Sequence, residues 1–216
     1  MEQSSPCPLC AHEHSEAYAS DRRRDYLQCQ RCDLVWVPAR FHLSEEAERA
    51  EYDLHQNRVD DPSYRRFLSR LAQPLVRQLP DACQGLDFGC GPGPALAAML
   101  SEAGHNMALY DLFYADDRSV LNREFDFITA TEVVEHLSQP GEVLSGLWRQ
   151  LRPGGCLGVM TKLVRSREAF EGWHYKNDPT HISFFSRSSW QWWAGEYGAE
   201  LQFHGDDAML LLKAQV

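Results

Sequence analysis

The stretch Gly85-Leu86-Asp87-Phe88-Gly89-Cys90-Gly91-Pro92-Gly93 constrains the fold of this chain more than any other. An apolar run that breaks into alternating glycines reads as a buried strand, a tight turn and the start of a helix. Such a turn brings backbone N–H groups and a helix N-terminus against a ligand, and side chains there would obstruct the approach. A nucleotide-like ligand suits it. The glycines follow G-x-G-x-G, and Pro94 stands where the dinucleotide fingerprint G-x-G-x-x-G needs glycine, which argues against NAD.

The residues that follow alternate between strand and helix patterns. Pro94 to Ala103 reads as a helix ended by Gly104, and Met107 to Tyr110 as a second strand ending in Asp111. An acid at the end of a second strand lies beside the glycine turn, where it can bond the two hydroxyls of a ribose. Phe125 to Ala130 is a further buried strand and Gly141 to Leu151 a helix; Leu157 to Thr161 is a strand after the Pro153-Gly154-Gly155 turn. Trp190, Trp193 and Tyr197 mark a late helix stopped by Gly198, and Leu201 to Phe203 with Met209 to Leu212 reads as a terminal hairpin. The expected fold class is α/β, a Rossmann-like, doubly wound, mostly parallel sheet with helices on both faces.

Taken together, Leu86 to Gly93, Asp111, Phe125-Asp126-Phe127-Ile128 and Leu151-Arg152-Pro153-Gly154-Gly155 resemble the class I S-adenosylmethionine-dependent methyltransferases. The resemblance covers residues 60 to 216. It implies a seven-stranded sheet with one antiparallel edge strand and S-adenosylmethionine as cofactor. Asp87, Gly89, Cys90, Gly91 and Gly93 would line the methionine and ribose side of its pocket, Asp111 would hold the ribose, and Thr131 and Glu132 would lie beside them. Only 13 residues separate Asp111 from Phe125, so the third strand should be short or missing, leaving Asp116 and Asp117 as the acids available to adenine.

Thr131-Glu132-Val133-Val134-Glu135-His136-Leu137 is the most informative polar run. As a helix start it would set Glu132, Glu135 and His136 on one face, as shared metal ligation or a general base with a supporting acid requires. The spacing resembles the E-x-x-E-H of ubiquinone-biosynthesis O-methyltransferases and of enzymes methylating the 3′ ends of small RNAs. In those families a divalent ion binds the substrate with help from a later histidine. Here His181 is placed in sequence to be that residue, with His174 second. Catalytic metal, acid–base chemistry and a merely structural helix start all remain open. His136 and His181 are the candidates for removing a proton from the acceptor, because imidazole titrates near neutrality. Trp173, His174 and Tyr175 fall where this fold builds its substrate lid. Cys90 and Cys156 read as small buried residues rather than nucleophiles.

The N-terminal part carries a second signal. Cys7, Cys10, Cys29 and Cys32 form two C-x2-C pairs, the spacing of a structural zinc site whose closed four-thiolate shell leaves no position for substrate. His12 and His14 read as turn residues. Residues 1–40 are expected to be a zinc ribbon, 41–60 a linker and lid, and 61–216 the methyltransferase domain. Ser44 should cap a helix through Glu45 to Tyr52, and Asp61 a second one through Leu79, kinked at Pro74; His55 and Asn57 lie where a lid loop would be. The zinc ribbon ahead of such a domain resembles an arrangement in bacterial methyltransferases acting on ribosomal RNA or on sugars.

A net charge of −10 repels bulk polyanions, so a small-molecule substrate fits better than nucleic acid. No run of 18 apolar residues and no basic-then-apolar leader is present, which gives the expectation of a cytoplasmic protein without a membrane span. The leading reading is an O-directed methyltransferase acting on a quinol, a sugar or a similar hydroxylated metabolite. One rival is an RNA methyltransferase docking through the ribbon, which requires an exposed patch of Arg22, Arg23, Arg24 and Arg31. Another is a non-catalytic adaptor that keeps the fold. The sequence does not fix the oligomeric state.

Overall fold

The computed structural model describes residues 6–54 and 58–215. His55 and Asn57 lie outside the described residues. The strands β4 (Gln84–Phe88), β5 (Asn106–Tyr110), β6 (Phe125–Thr131) and β7 (Leu151–Met160) form the parallel heart of a six-stranded sheet. Its order is β5-β4-β6-β7-β10-β9, with β9 (Glu200–His204) and β10 (Ala208–Leu212) forming the terminal hairpin.

The two faces of the sheet are covered differently. Leu68, Leu71 and Leu75 of α2 (Pro62–Gln78) and Leu96 and Leu100 of α3 (Ala95–Glu102) pack on Phe127, Cys156 and Leu210. Asp61 starts α2 by accepting hydrogen bonds from the Ser63 and Tyr64 N–H groups at 2.7 and 3.4 Å. The helix runs on through the buried Pro74 to Gln78. On the other face, α4 (Pro140–Gln150) and α6 (Arg187–Tyr197) supply Leu144, Leu147, Trp190 and Trp193. No described helix is long and apolar enough to cross a membrane.

Residues 6–40 are built into this second face. Strands β1 (Ser15–Ser20), β2 (Asp25–Cys29) and β3 (Val35–Trp36) form an antiparallel sheet whose fourth strand, β8 (Ser183–Phe184), comes from late in the chain. Cys7, Leu9, Leu34 and Trp36 share one buried cluster with Trp190 and Trp193. Gly141 at the start of α4 donates its N–H to the Pro8 carbonyl at 3.1 Å, and a Cβ built there would overlap the Leu9 carbonyl.

The third strand is missing, as the short span after Asp111 predicts: among the described residues this sheet has six strands rather than seven, because residues 111–124 are spent on an Asp111–Ala115 bridge and a 3-10 turn at Arg118–Asn122. Two other expectations about the sheet need correction. The antiparallel strand is β10, and it lies one place in from the edge, between β7 and β9. Its composition explains this: Ala208, Met209, Leu210 and Leu211 are buried on both faces, whereas β9 has no buried residue and takes the edge. The Pro153-Gly154-Gly155 segment lies inside β7 as a bulge against β6 rather than ahead of the strand.

Candidate functional site

The glycine turn leaves β4 at the carboxyl end of the sheet, where ligands of open α/β sheets bind. Gly89 has φ +71, a conformation that favours glycine, and a Cβ there would overlap Val133 Cγ2. The turn is held by its neighbour strand: Gly89 donates to the Tyr110 carbonyl at 2.7 Å and Gly91 to Asp111 Oδ2 at 2.9 Å. Asp111 Oδ1 accepts from Phe113 and Tyr114 N–H at 2.9 and 3.1 Å. The carboxylate expected to meet a ribose thus also orders the loop that would meet the rest of a nucleoside.

Asp87 is buried beneath the turn and accepts a hydrogen bond from Thr129 Oγ1 at 2.8 Å. Burial pushes its pKa up to about 6, against the opposing hydrogen bond. Burial likewise pushes the thiols of Cys90 and Cys156 up to about 12, so neither is a thiolate at neutral pH. Asp116 pairs with Arg118 at 3.0 Å, and Asp117 caps the 3-10 turn through Ser119.

At the end of β6 the chain departs from the expected helix start. Glu132 has φ +53, unusual for a non-glycine residue, and only Val134–His136 form a 3-10 turn. The positive φ turns Glu132 off the face shared by Glu135 and His136. Ligand atoms of Glu135, His136 and His181 lie within 4.8 Å of one another, and Glu132 is not among them. The two carboxylates meet through Tyr175 instead. Its hydroxyl bonds Glu135 Oε1 and lies 3.3 Å from Glu132 Oε2. One phenol holds one proton, so serving both acids requires a proton on one carboxyl group. Burial raises both pKa values, with the Glu135 charge adding to it at Glu132 and the Asp178 charge at Glu135, which supplies that proton. Thr131 Oγ1, Glu132 Oε1 and Glu135 Oε2 are buried with no hydrogen-bond partner among the described residues, as expected of atoms awaiting a ligand.

His181 is buried, and its Nδ1 lies 2.7 Å from the Tyr175 carbonyl. That carbonyl can only accept, so Nδ1 carries the proton and Nε2 keeps a lone pair when the ring is neutral. The His136 and His181 ring centroids lie 4.7 Å apart. Helix α1 (Glu45–Tyr52), capped by Ser44 as expected, lays Tyr52 against His136 and Phe113, and Asp53 accepts a hydrogen bond from Tyr114 at 2.7 Å. Residues 44–53 therefore bridge the loop after β5 and the His136 turn. His174 is exposed and 3.0 Å from Lys162 Nζ, outside the cluster. Trp173 packs on Phe170, Tyr175 and Phe184.

Charge counting missed a residue here. Arg24 is not a solvated member of an arginine patch; it is 6% exposed, and its guanidinium bonds the backbone of residues 176–179. Arg31 lies over Trp192 of α6. Nothing in the sequence linked Arg24 to a segment more than 150 residues away.

The four ribbon cysteines could hold one metal ion. Their sulfurs lie within 4.8 Å of one another, Cys7 to Cys32 at 3.6 Å and Cys10 to Cys29 at 3.4 Å. A tetrahedral Zn–S shell at about 2.3 Å puts sulfurs about 3.8 Å apart, so the cluster fits that ion. His12 and His14 contact each other outside it.

The family described as a methyltransferase domain matches residues 55–202. A trans-aconitate 2-methyltransferase of Deinococcus radiodurans is 26% identical over 144 residues, 58% of this chain and 49% of that protein, so the chain spans about half the length of that relative. In fold, the chain is similar to the 1,6-didemethyltoxoflavin-N1-methyltransferase of Burkholderia thailandensis, solved with 1,6-didemethyltoxoflavin and S-adenosylhomocysteine. The TM-score is 0.53 at 14% identity, over 92% of this chain and 99% of that one. An Archaeoglobus fulgidus SAM-dependent methyltransferase has TM-score 0.55 at 14% identity, over 69% of this chain and 94% of its own.

Proposed function

The chain belongs to the methyltransferase-domain family, and on that premise we propose that it transfers the methyl group of S-adenosylmethionine to an oxygen of a small hydroxylated metabolite such as a quinol or a sugar. One observation carries the reading. The glycine turn, fixed by Asp111, abuts through Val133 a buried group of acids and histidines whose orphaned oxygens face no protein partner among the described residues.

S-Adenosylmethionine, when bound, supplies a methyl group already activated on a positive sulfur. Asp111 is suited to its ribose, the turn through Gly89, Gly91 and Gly93 to close approach by its methionine portion, and Thr131 and Glu132 to the pocket wall. What remains for the protein is alignment, exclusion of water and removal of the acceptor's proton. His181, with Nδ1–H on the Tyr175 carbonyl, offers Nε2 as the base, and His136 stands beside it. Helix α1 is the cover.

A second reading is favoured by the gathering of Glu135, His136 and His181, a donor set that suits a divalent ion. Soaking with manganese and an anomalous map test it; no density there at saturating manganese sinks it. The Deinococcus relative adds carboxylates to the acceptors worth screening, and these need no base. In the ribbon we infer structural zinc, to be checked by elemental analysis for one zinc per chain. The buried Arg24 weighs against RNA docking through an arginine patch.

Titration with S-adenosylmethionine in a thermal-shift assay tests the core of the reading. A donor at about 100 times its Kd adds about 2.7 kcal/mol. Absence of any shift at saturating donor overturns the catalytic reading and leaves the adaptor. Transfer of a labelled methyl group to a panel of quinols, sugars and polycarboxylates then identifies the acceptor class, and His181→Gln should abolish turnover with hydroxyl acceptors alone.

A further inference from the structure

We propose that the ribbon is a positioning device for the acceptor half of the site, with Arg24 as the residue that sets Tyr175 and His181. This rests on the reading of His181 and Tyr175 as acceptor-site residues. Arg24 Nη2 donates to the carbonyls of Lys176 and Asp178 at 2.6 and 2.8 Å, Nη1 to that of Pro179 at 3.1 Å, and Nε to Tyr26 Oη at 3.1 Å. Three carbonyls within four residues converge on one planar fork. They have no strand or α-helix ladder of their own, since the segment is a 3-10 turn followed by loop.

The neighbours of Arg24 complete the grip. Asp21 accepts from the buried Lys176 Nζ at 2.7 Å and from Tyr26 Oη at 3.0 Å, and Arg23 bonds Asn177 Oδ1 and its carbonyl at 2.7 and 3.0 Å. The grip pulls Asp21 well below the usual carboxylate range despite burial, Lys176 being the strongest of its partners. On the opposite side the same segment meets the catalytic turn: Ile182 donates to the Glu135 carbonyl at 2.8 Å, and Ser183 Oγ to that of Leu137 at 2.8 Å. The gripped carbonyls lie between Tyr175 and His181. The Tyr175 carbonyl in turn orients the His181 ring, so the ring's direction depends on the fork.

Strand β2 joins this grip to the cysteine cluster, with Asp25 beside Arg24 at one end and Cys29 at the other. A lysine keeps the charge but lacks the rigid fork needed to reach three carbonyls at once. Arg24 is therefore a positioning residue, acting through the backbone of 176–179 without touching substrate.

The test uses the full chain with Arg24→Met and Arg24→Lys. Three readouts are taken: amide exchange, the downfield Nδ1–H proton resonance of His181 (assigned by its absence in His181→Gln), and S-adenosylhomocysteine affinity by calorimetry. In both variants residues 174–184 should exchange about tenfold faster or more, and the His181 resonance should vanish. Donor-product affinity should stay within about twofold. Retention of the resonance and of protection overturns the proposal. So does an equal loss of protection over residues 84–104 with a fall in affinity, because that describes general destabilisation. Arg24→Lys decides if Arg24→Met does not fold. If the unmodified protein fails to bind S-adenosylhomocysteine, the methyltransferase reading falls while exchange and resonance still decide the grip.

Discussion

The proposed donor half and the proposed acceptor half of the site are built on different principles. The donor half runs from Gln84 to Asp111 within consecutive elements, and its key contacts are backbone groups meeting a carboxylate 20 residues on, as between Gly91 and Asp111. The acceptor half is assembled from side chains far apart in sequence: Tyr175 reaches Glu135 across 40 residues, and Arg24 reaches Lys176 across 152. A local, backbone-built cradle tolerates changes elsewhere in the chain. The acceptor half depends on three separate segments holding register, and its precision is hostage to whatever holds them.

Removal of the zinc proposed for the four cysteines tests that contrast most severely. Structural zinc contributes roughly 10–16 kcal/mol in small isolated domains. Treatment with a strong chelator should strip protection from residues 15–37 and 174–184 and lower Tm by more than about 10 °C. The parallel strands over residues 84–110 should survive longest in exchange measurements. If they melt together with the ribbon, the two halves are one cooperative unit and the contrast fails.

Asp87 gives the donor half its own pH dependence. Its folded pKa, about 6, lies above the ordinary 3.8, so the folded state holds the proton more tightly. The resulting stability is fully present below about pH 4 and is lost as pH rises through 6, on the order of 3 kcal/mol in all. Asp87→Asn should flatten denaturant-measured stability over that window; an unchanged slope would mean that Asp87 does not titrate there. Gly89→Ala should weaken S-adenosylhomocysteine binding about 10- to 100-fold in calorimetry, from positive-φ strain of roughly 1–3 kcal/mol and contact with Val133. Val133→Ala should recover part of it, since Val133 is where the halves touch. Weakest of all, Asp206→Asn removes an ion pair to Arg165 whose side chains are 79% and 72% exposed, and it should change stability by less than about 0.5 kcal/mol.

The same contrast explains what could be read in advance. The strand and helix pattern from Leu86 to Ala130, the caps at Ser44 and Asp61 and the missing third strand all follow from local periodicity, capping chemistry and chain length. The gathering of the paired cysteines was legible because two C-x2-C pairs are the spacing a four-thiolate shell requires. The burial of Arg24 was not, because a guanidinium bonded to distant carbonyls leaves the same letters as a solvated one. Glu132 was misplaced for a related reason: a helical face was assumed where the chain turns through positive φ. The inner position of β10 was visible in its unbroken apolar run, a cue outweighed by the expectation of an antiparallel edge.

The pairing of β3 with β8 also has a consequence in time. A ribosome adding roughly 5–20 residues per second delivers residues 183–184 about 7–30 seconds after Val35 and Trp36. Until then the sheet of β1, β2 and β3 has an open edge, and the bed that Phe170 and Phe184 make for Tyr26 and Val35 is incomplete. The β1–β2–β3 sheet thus waits for a strand made nearly 150 residues later, and capture of the proposed zinc by its cysteines would close its other end during the wait.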